Sequence, residues 1–217
     1  MTDSSDPATR IEALFTRSEG GYRFARWGRD LVPAVLGAEP PGEALLLEGL
    51  RAAAGLGGLR VDAEDPELGA NWLVVMVDRW PRLGEVPALD RLIPDLGRLI
   101  DVLGATGANQ YRIFDFDDTG AIRLCITLLR LDADIARLPP KAFALSQAVM
   151  GLLLWSDRAF LGESPVAVIE GGPASGRAVV APEIARIIRA AYVPELPPAS
   201  RDPAHAKLIA ELTAGTT

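Results

Sequence analysis

Asn71-Trp72-Leu73-Val74-Val75-Met76-Val77-Asp78 is the stretch on which the reading of this chain turns. Its apolar residues run without interruption, three of them β-branched valines, and polar residues bound it on both sides. So short a run without alternation reads as a strand buried on both faces. Downstream, Leu89 to Leu103 carries Leu92, Leu96, Leu99 and Leu103 at helical spacing, with Pro94 either in its first turn or kinking it. Gln110 to Phe116 and Ala121 to Leu131 then flank Asp117-Asp118-Thr119-Gly120, a β-hairpin signature. Upstream, Leu59 to Asp62 reads as a short strand, and Tyr22 to Trp27 and Leu31 to Leu36 as extended segments, the second held to a sheet edge or a bulge by Pro33.

Helices are expected outside this strand-rich middle. Asp6-Pro7 opens one through Thr16, since Asp caps and Pro suits the first helical position. Pro40-Pro41 leads into another through Ala54, stopped by Gly55, Gly57 and Gly58. Pro140 to Trp155, Pro182 to Tyr192 and Asp202 to Leu212 supply three more. The order predicts one α+β domain over residues 20–200, with a mixed or antiparallel sheet of about five or six strands. A polar tail and helix (1–19) precede it, and a helix and tail (201–217) follow.

Composition then bounds function. The 217 residues are 49% hydrophobic and carry 29 acids against 22 bases, a formal charge of −7. Such a balance argues against nucleic acid, whose affinity comes from neutralised phosphates. Only Lys141 and Lys207 are lysines, the other bases being arginines, a bias expected of a GC-rich bacterial genome. The longest uncharged stretch, Ala142 to Ser156, falls short of a membrane span and contains Ser146 and Gln147, so it reads as a buried helix. The acidic start lacks the basic and apolar regions of a secretory signal, and the lone Cys125 cannot form an internal disulfide. Both point to the cytoplasm.

The same counts remove several chemistries. His205 is the sole imidazole, flanked by alanines, and reads as a solvated surface residue. No G-x-S-x-G elbow surrounds Ser146, and one His with one Cys makes a zinc site improbable. Asp115, Asp117, Asp118 and Gly120 resemble the start of a calcium loop, but Ile126 stands where a bidentate Glu is required, which favours a hairpin turn. The acids Asp62, Glu64, Asp65 and Glu67 read as a solvated loop, as do the glycines from Gly171 to Gly176. Neither a cofactor nor a metal is expected. The segment 17–29 is different. It sets Arg17, Arg23, Arg26 and Arg29 among Tyr22, Phe24 and Trp27 in an otherwise acidic protein, a combination favoured by protein interfaces and planar anions. Arg17, Tyr22, Arg23, Arg26, Trp27 and Arg29 are the candidate binding residues.

A wider pattern runs through Arg26-Trp27-Gly28, Ala70-Asn71, Leu145-Ser146-Gln147-Ala148-Val149-Met150-Gly151-Leu152, Trp155-Ser156-Asp157, Glu163-Ser164-Pro165, Ala181-Pro182 and Ala190-Ala191-Tyr192-Val193-Pro194-Glu195-Leu196. Across about residues 20–200 it resembles an uncharacterised proteobacterial family with a degenerate zincin-like, metallopeptidase-like arrangement. That resemblance implies that the helix around Gln147 replaces the metal-binding helix. Zincin chemistry needs two His four apart with a Glu beside the first. Placing Gln147 at the second His leaves Phe143 and Ala144 at the other two positions, and a shift to Ala148 leaves Ala144 and Leu145. Ser146, Gln147 and Asp157 are then remnants of a site. The expected function is a non-catalytic binding or assembly protein whose partner is another protein or a small anionic ligand. The alternative is a divergent metallopeptidase-like hydrolase with an unorthodox site around Gln147.

Overall fold

The apolar run does form a strand, and the rest of the molecule is layered about it. The structure, a computed structural model, describes residues 6–62, 69–172 and 175–215. In chain order the helices are α1 (Pro7–Phe15), α2 (Pro40–Leu56), α3 (Leu89–Leu92), α4 (Leu96–Thr106), α5 (Ala133–Ala136), α6 (Pro140–Leu152), α7 (Pro182–Ala191) and α8 (Ala204–Gly215), with a 3₁₀ helix at Trp80–Glu85. The strands are β1 (Phe24–Ala25), β2 (Pro33–Leu36), β3 (Trp72–Val77), β4 (Gln110–Phe116), β5 (Ile122–Arg130), β6 (Val166–Val168), β7 (Ala178–Val180) and β8 (Ala199–Ser200). This is a single-domain α+β fold.

Its main sheet has four strands in the order β2-β3-β5-β4. β2 and β5 flank β3 in parallel, and β4 returns antiparallel on β5. The expected five or six strands are therefore divided. Four make the sheet, while β1 with β8 and β6 with β7 form separate two-stranded ribbons. Pro33 does sit on an edge strand, where its missing N–H costs no ladder bond.

Both faces of the sheet are covered, which is why β3 shows no alternation. On one side Trp72 and Val74, Cys125 and Leu129, and Phe114 and Phe116 meet residues of α2, α6, α7, α1 and α8. On the other, Val75, Val77, Ile126 and Leu128 meet Trp80, Leu83, Leu89, Leu96 and Leu103. The α6 contact is tight. A Cβ at Gly49 of α2 would lie 3.0 Å from the Ala144 carbonyl oxygen, and one at Gly151 would lie 2.2 Å from the Trp72 ring.

Three boundaries differ from expectation. The helix expected over Leu89 to Leu103 breaks at Pro94, where Asp95 takes φ 56° before α4 starts. The helix expected to reach Trp155 ends at Leu152. Leu153 instead bridges Arg26, and the Leu154 N–H donates to the Ala25 carbonyl at 2.9 Å. Leu59 to Asp62 makes only an isolated bridge, Leu31 to Val61. Glu64, Asp65 and Glu67 of the acidic stretch, and Pro173 and Ala174 of the glycine-rich loop, lie outside the described residues. Among the described residues no helix is long and apolar enough to cross a membrane.

Candidate functional site

The segment 17–29 reaches the surface only in part. A turn at Gly20 and Gly21 brings Tyr22 back against Thr16, after which the chain pairs briefly with β8 and crosses Leu153 and Ile122. Successive contacts with different partners bury Tyr22, Phe24, Ala25 and Trp27 together. Trp27, 1% exposed, stacks on Trp72 and donates its Nε1–H to the Gly151 carbonyl at 2.9 Å. The Tyr22 hydroxyl meets His205 Nδ1 at 3.0 Å. Tyr22 and Trp27, expected at the binding surface, are thus core residues, because their apolar area is worth more inside. Arg26 is committed as well, lying over the Tyr192 ring at 5.6 Å and donating to the Leu196 carbonyl at 3.1 Å. Arg29 follows Gly28, half-buried and away from the other two arginines.

Arg17 and Arg23 line a groove of about 670 Å³ that runs along β4. The lining also includes Met150, Trp155, Ser156, Phe160 and Leu161. The Arg23 guanidinium lies 4.7 Å over the Phe116 ring. Burial and the neighbouring cations Arg17 and Arg201 lower its pKa, so positive charge is concentrated here. Asp157 is the one acid among the lining residues, and its Oδ1 accepts the Ser18 N–H at 2.9 Å. The Ser18 side chain and backbone hold that carboxyl below its usual range.

A third arginine joins them from the sheet. Gln110, Arg112, Phe114 and Phe116 share the α6-facing side of β4, and Arg112 sits opposite Thr127 of β5. One Arg112 guanidinium nitrogen donates to Gln147 Oε1, and the Gln147 amide donates to Gln110 Oε1 at 3.3 Å. The Arg112 Nε is buried without a partner among the described residues. Burial pulls the Arg112 pKa down from 12.5 to about 10, which leaves a cation at neutral pH. None of the groups acting on it is a carboxylate. A guanidinium in such a place is short of the anion that would offset its lost hydration.

The remaining candidates have structural partners. Ser146 donates to the Phe143 carbonyl at 2.8 Å, bonding within its own helix. Gln147, 4% exposed, serves Arg112 and Gln110, and Asp157 lies on the groove wall instead of beside Gln147. His205 is not a surface residue. It is 4% exposed, with its ring centroid 4.3 Å from that of Phe24 and its Nε2 without a partner among the described residues. Burial, and secondarily Arg26, lowers its pKa. Cys125 is buried beside Thr127, and burial pushes its thiol up to about 11. The turn at Asp117 is a hairpin turn, with Oδ1 accepting from the Thr119 and Ala121 N–H groups. Among the described residues no three His, Cys, Asp or Glu side chains gather to hold a metal.

A second groove, of about 750 Å³, lies between α1 and α7, but its Arg10 is paired with both Glu163 at 3.0 Å and Glu183 at 2.9 Å. In the β4 groove, by contrast, Arg17, Arg23 and Arg112 form no salt bridge among the described residues. Sequence reasoning identified Arg17 and Arg23 and missed Arg112. Its signal was present in the hairpin, where Gln110 and Arg112 stand at the same period-2 positions as the apolar Phe114 and Phe116. No family model, curated protein or solved structure matches this chain.

Proposed function

We propose that this chain is a non-catalytic binding protein of the bacterial cytoplasm whose working surface is the β4 groove, and that its ligand is anionic. One observation carries the reading: Arg17, Arg23 and Arg112 line a single groove in a protein of charge −7. Arg112 supports it most, because a half-buried cation without a carboxylate is a standing cost that an incoming anion removes. A buried lone thiol suits the reducing compartment. The hydrolase alternative has less to draw on, since Gln147 is occupied by Arg112 and Gln110 and α6 is packed tightly against α2 and Trp72.

The test is fluorescence anisotropy with a short labelled poly-glutamate, comparing the wild type with Arg17→Glu/Arg23→Glu and with Arg112→Met. The acidic probe should bind, weaken as salt rises, and lose about tenfold or more in affinity in either variant. Arg112→Met should meanwhile cost little stability, because removal of an uncompensated charge offsets the hydrogen bond that Gln147 Oε1 loses. Equal binding by all three proteins would overturn the assignment, and so would a large loss of stability in Arg112→Met.

A further inference from the structure

Among the described residues β4 ends the sheet, and its outer edge carries backbone groups without a backbone partner. The direction of those groups follows from the ladder. The Arg130 N–H donates to the Asn109 carbonyl, so residue 109 faces β5, while the Cys125 N–H donates to the Asn71 carbonyl on the far side of β5. Alternation then turns Tyr111, Ile113 and Asp115 toward β5 with their partners Leu128, Ile126 and Leu124. The backbone groups of Gln110, Arg112 and Phe114 point outward, and among the described residues none has a backbone partner outside the sheet. Six of the seven β4 residues line the groove, including Tyr111 and Ile113, whose side chains belong to the opposite face. What the groove presents is therefore the strand edge itself, flanked by Arg17, Arg23 and Arg112.

Building on the anionic-groove reading, we infer that the ligand is an extended acidic segment of another protein, which adds to β4 as a fifth strand. Its backbone pairs with the outward N–H and C=O groups of Gln110, Arg112 and Phe114, and its Asp or Glu side chains at alternate positions meet the three arginines. An unpaired edge is a hazard that proteins ordinarily blunt. Here the inward Arg112 and the flanking arginines discourage general pairing while admitting a strand of opposite charge. A second copy of this chain is a poor occupant, since pairing two β4 edges would bring like-charged grooves face to face.

Two labelled peptides test this: an alternating Glu-Val heptapeptide, and the same peptide N-methylated at every residue so that neither of its edges can donate a hydrogen bond to β4. Anisotropy with full-length protein should show the unmodified peptide binding on the order of tenfold more tightly than the methylated one, the equivalent of one or two hydrogen bonds. Arg23→Glu should weaken the unmodified peptide about tenfold, and Arg23→Lys should restore most of the loss. Hydrogen exchange at the Gln110, Arg112 and Phe114 amides should slow when it is bound. Equal affinity for the two peptides, with Arg23→Glu still weakening both, would overturn strand addition and leave the anionic groove standing. Binding by neither peptide, or binding indifferent to Arg23→Glu, would overturn both. A dimer through β4 in sedimentation, persisting with peptide present, would also overturn strand addition.

Discussion

The pair formed by Tyr22 and His205 shows how far a single residue's surroundings change its chemistry. In water an imidazole titrates near pH 6.5, but His205 has its ring against Phe24 and, among the described residues, a partner on Nδ1 alone. Burial, reinforced by Arg26 and opposed by Asp202, lowers its pKa below that value. The unfolded chain therefore takes up a proton below about pH 6.5 that the folded chain resists. The sign follows directly: stability is unaffected by this group above that pH and falls as the pH drops beneath it. Urea midpoints followed by tryptophan fluorescence should fall through the mildly acidic range. In His205→Gln that slope should flatten. An identical slope in the variant would remove His205 as its source. The flanking alanines gave no sign of this burial, because the aromatic residues that enclose the ring come from the other end of the chain.

At the scale of the element, α6 shows why the sequence was legible in type but not in use. Its uncharged run announced a buried helix, and a buried helix it is. Where it ends, and what its polar residues do, was set by neighbours. Leu153 and Leu154 leave the helix to pair with Arg26 and Ala25, and Gln147 turns to the arginine of β4. Pro94 is the converse case, a local break that the leucine spacing masked. The seating of α6 on β3 can be tested with Gly151→Ala. Replacing a helical glycine favours the helix by about 1 kcal/mol, while overpacking costs about 1–3 kcal/mol. The second effect should win, because the Trp72 ring 2.2 Å from the new Cβ is itself stacked on Trp27 and has little room to retreat. Chemical denaturation should give a net loss of up to about 2 kcal/mol, and a gain in stability would show that the α6–Trp72 contact is loose.

At the scale of the whole molecule, the chain's two ends close the larger core. α1 packs on α8, and Ile11, Phe15, Tyr22 and Phe24 share one cluster with Ala206 and Ile209, with the His205 ring against Phe24. Removing residues 204–217 should therefore act well beyond the terminus. Burial of Ile209 and cover for two aromatic rings would be lost, about 4 kcal/mol out of the 5–15 kcal/mol typical of a domain. A urea transition shifted by that amount would fit, and an unchanged transition would show α8 to be an appendage. The same closure fixes the groove, because it holds the turn bearing Arg17 and Arg23 opposite β4.

What the sequence determined by itself is what depends on near neighbours: the strand at 72–77, the hairpin turned by Asp117, the capped and proline-led helices, and the acidic balance. Periodicity, capping and turn chemistry act within a few residues and can be read there. What only the tertiary structure decided is who meets whom. Tyr22, Trp27 and His205 went inside, while Arg17, Arg23 and Arg112 came to line one groove. Those outcomes rest on packing between segments far apart in the chain, where apolar area is hidden and charges are left beside an open edge, and no local pattern encodes such a meeting.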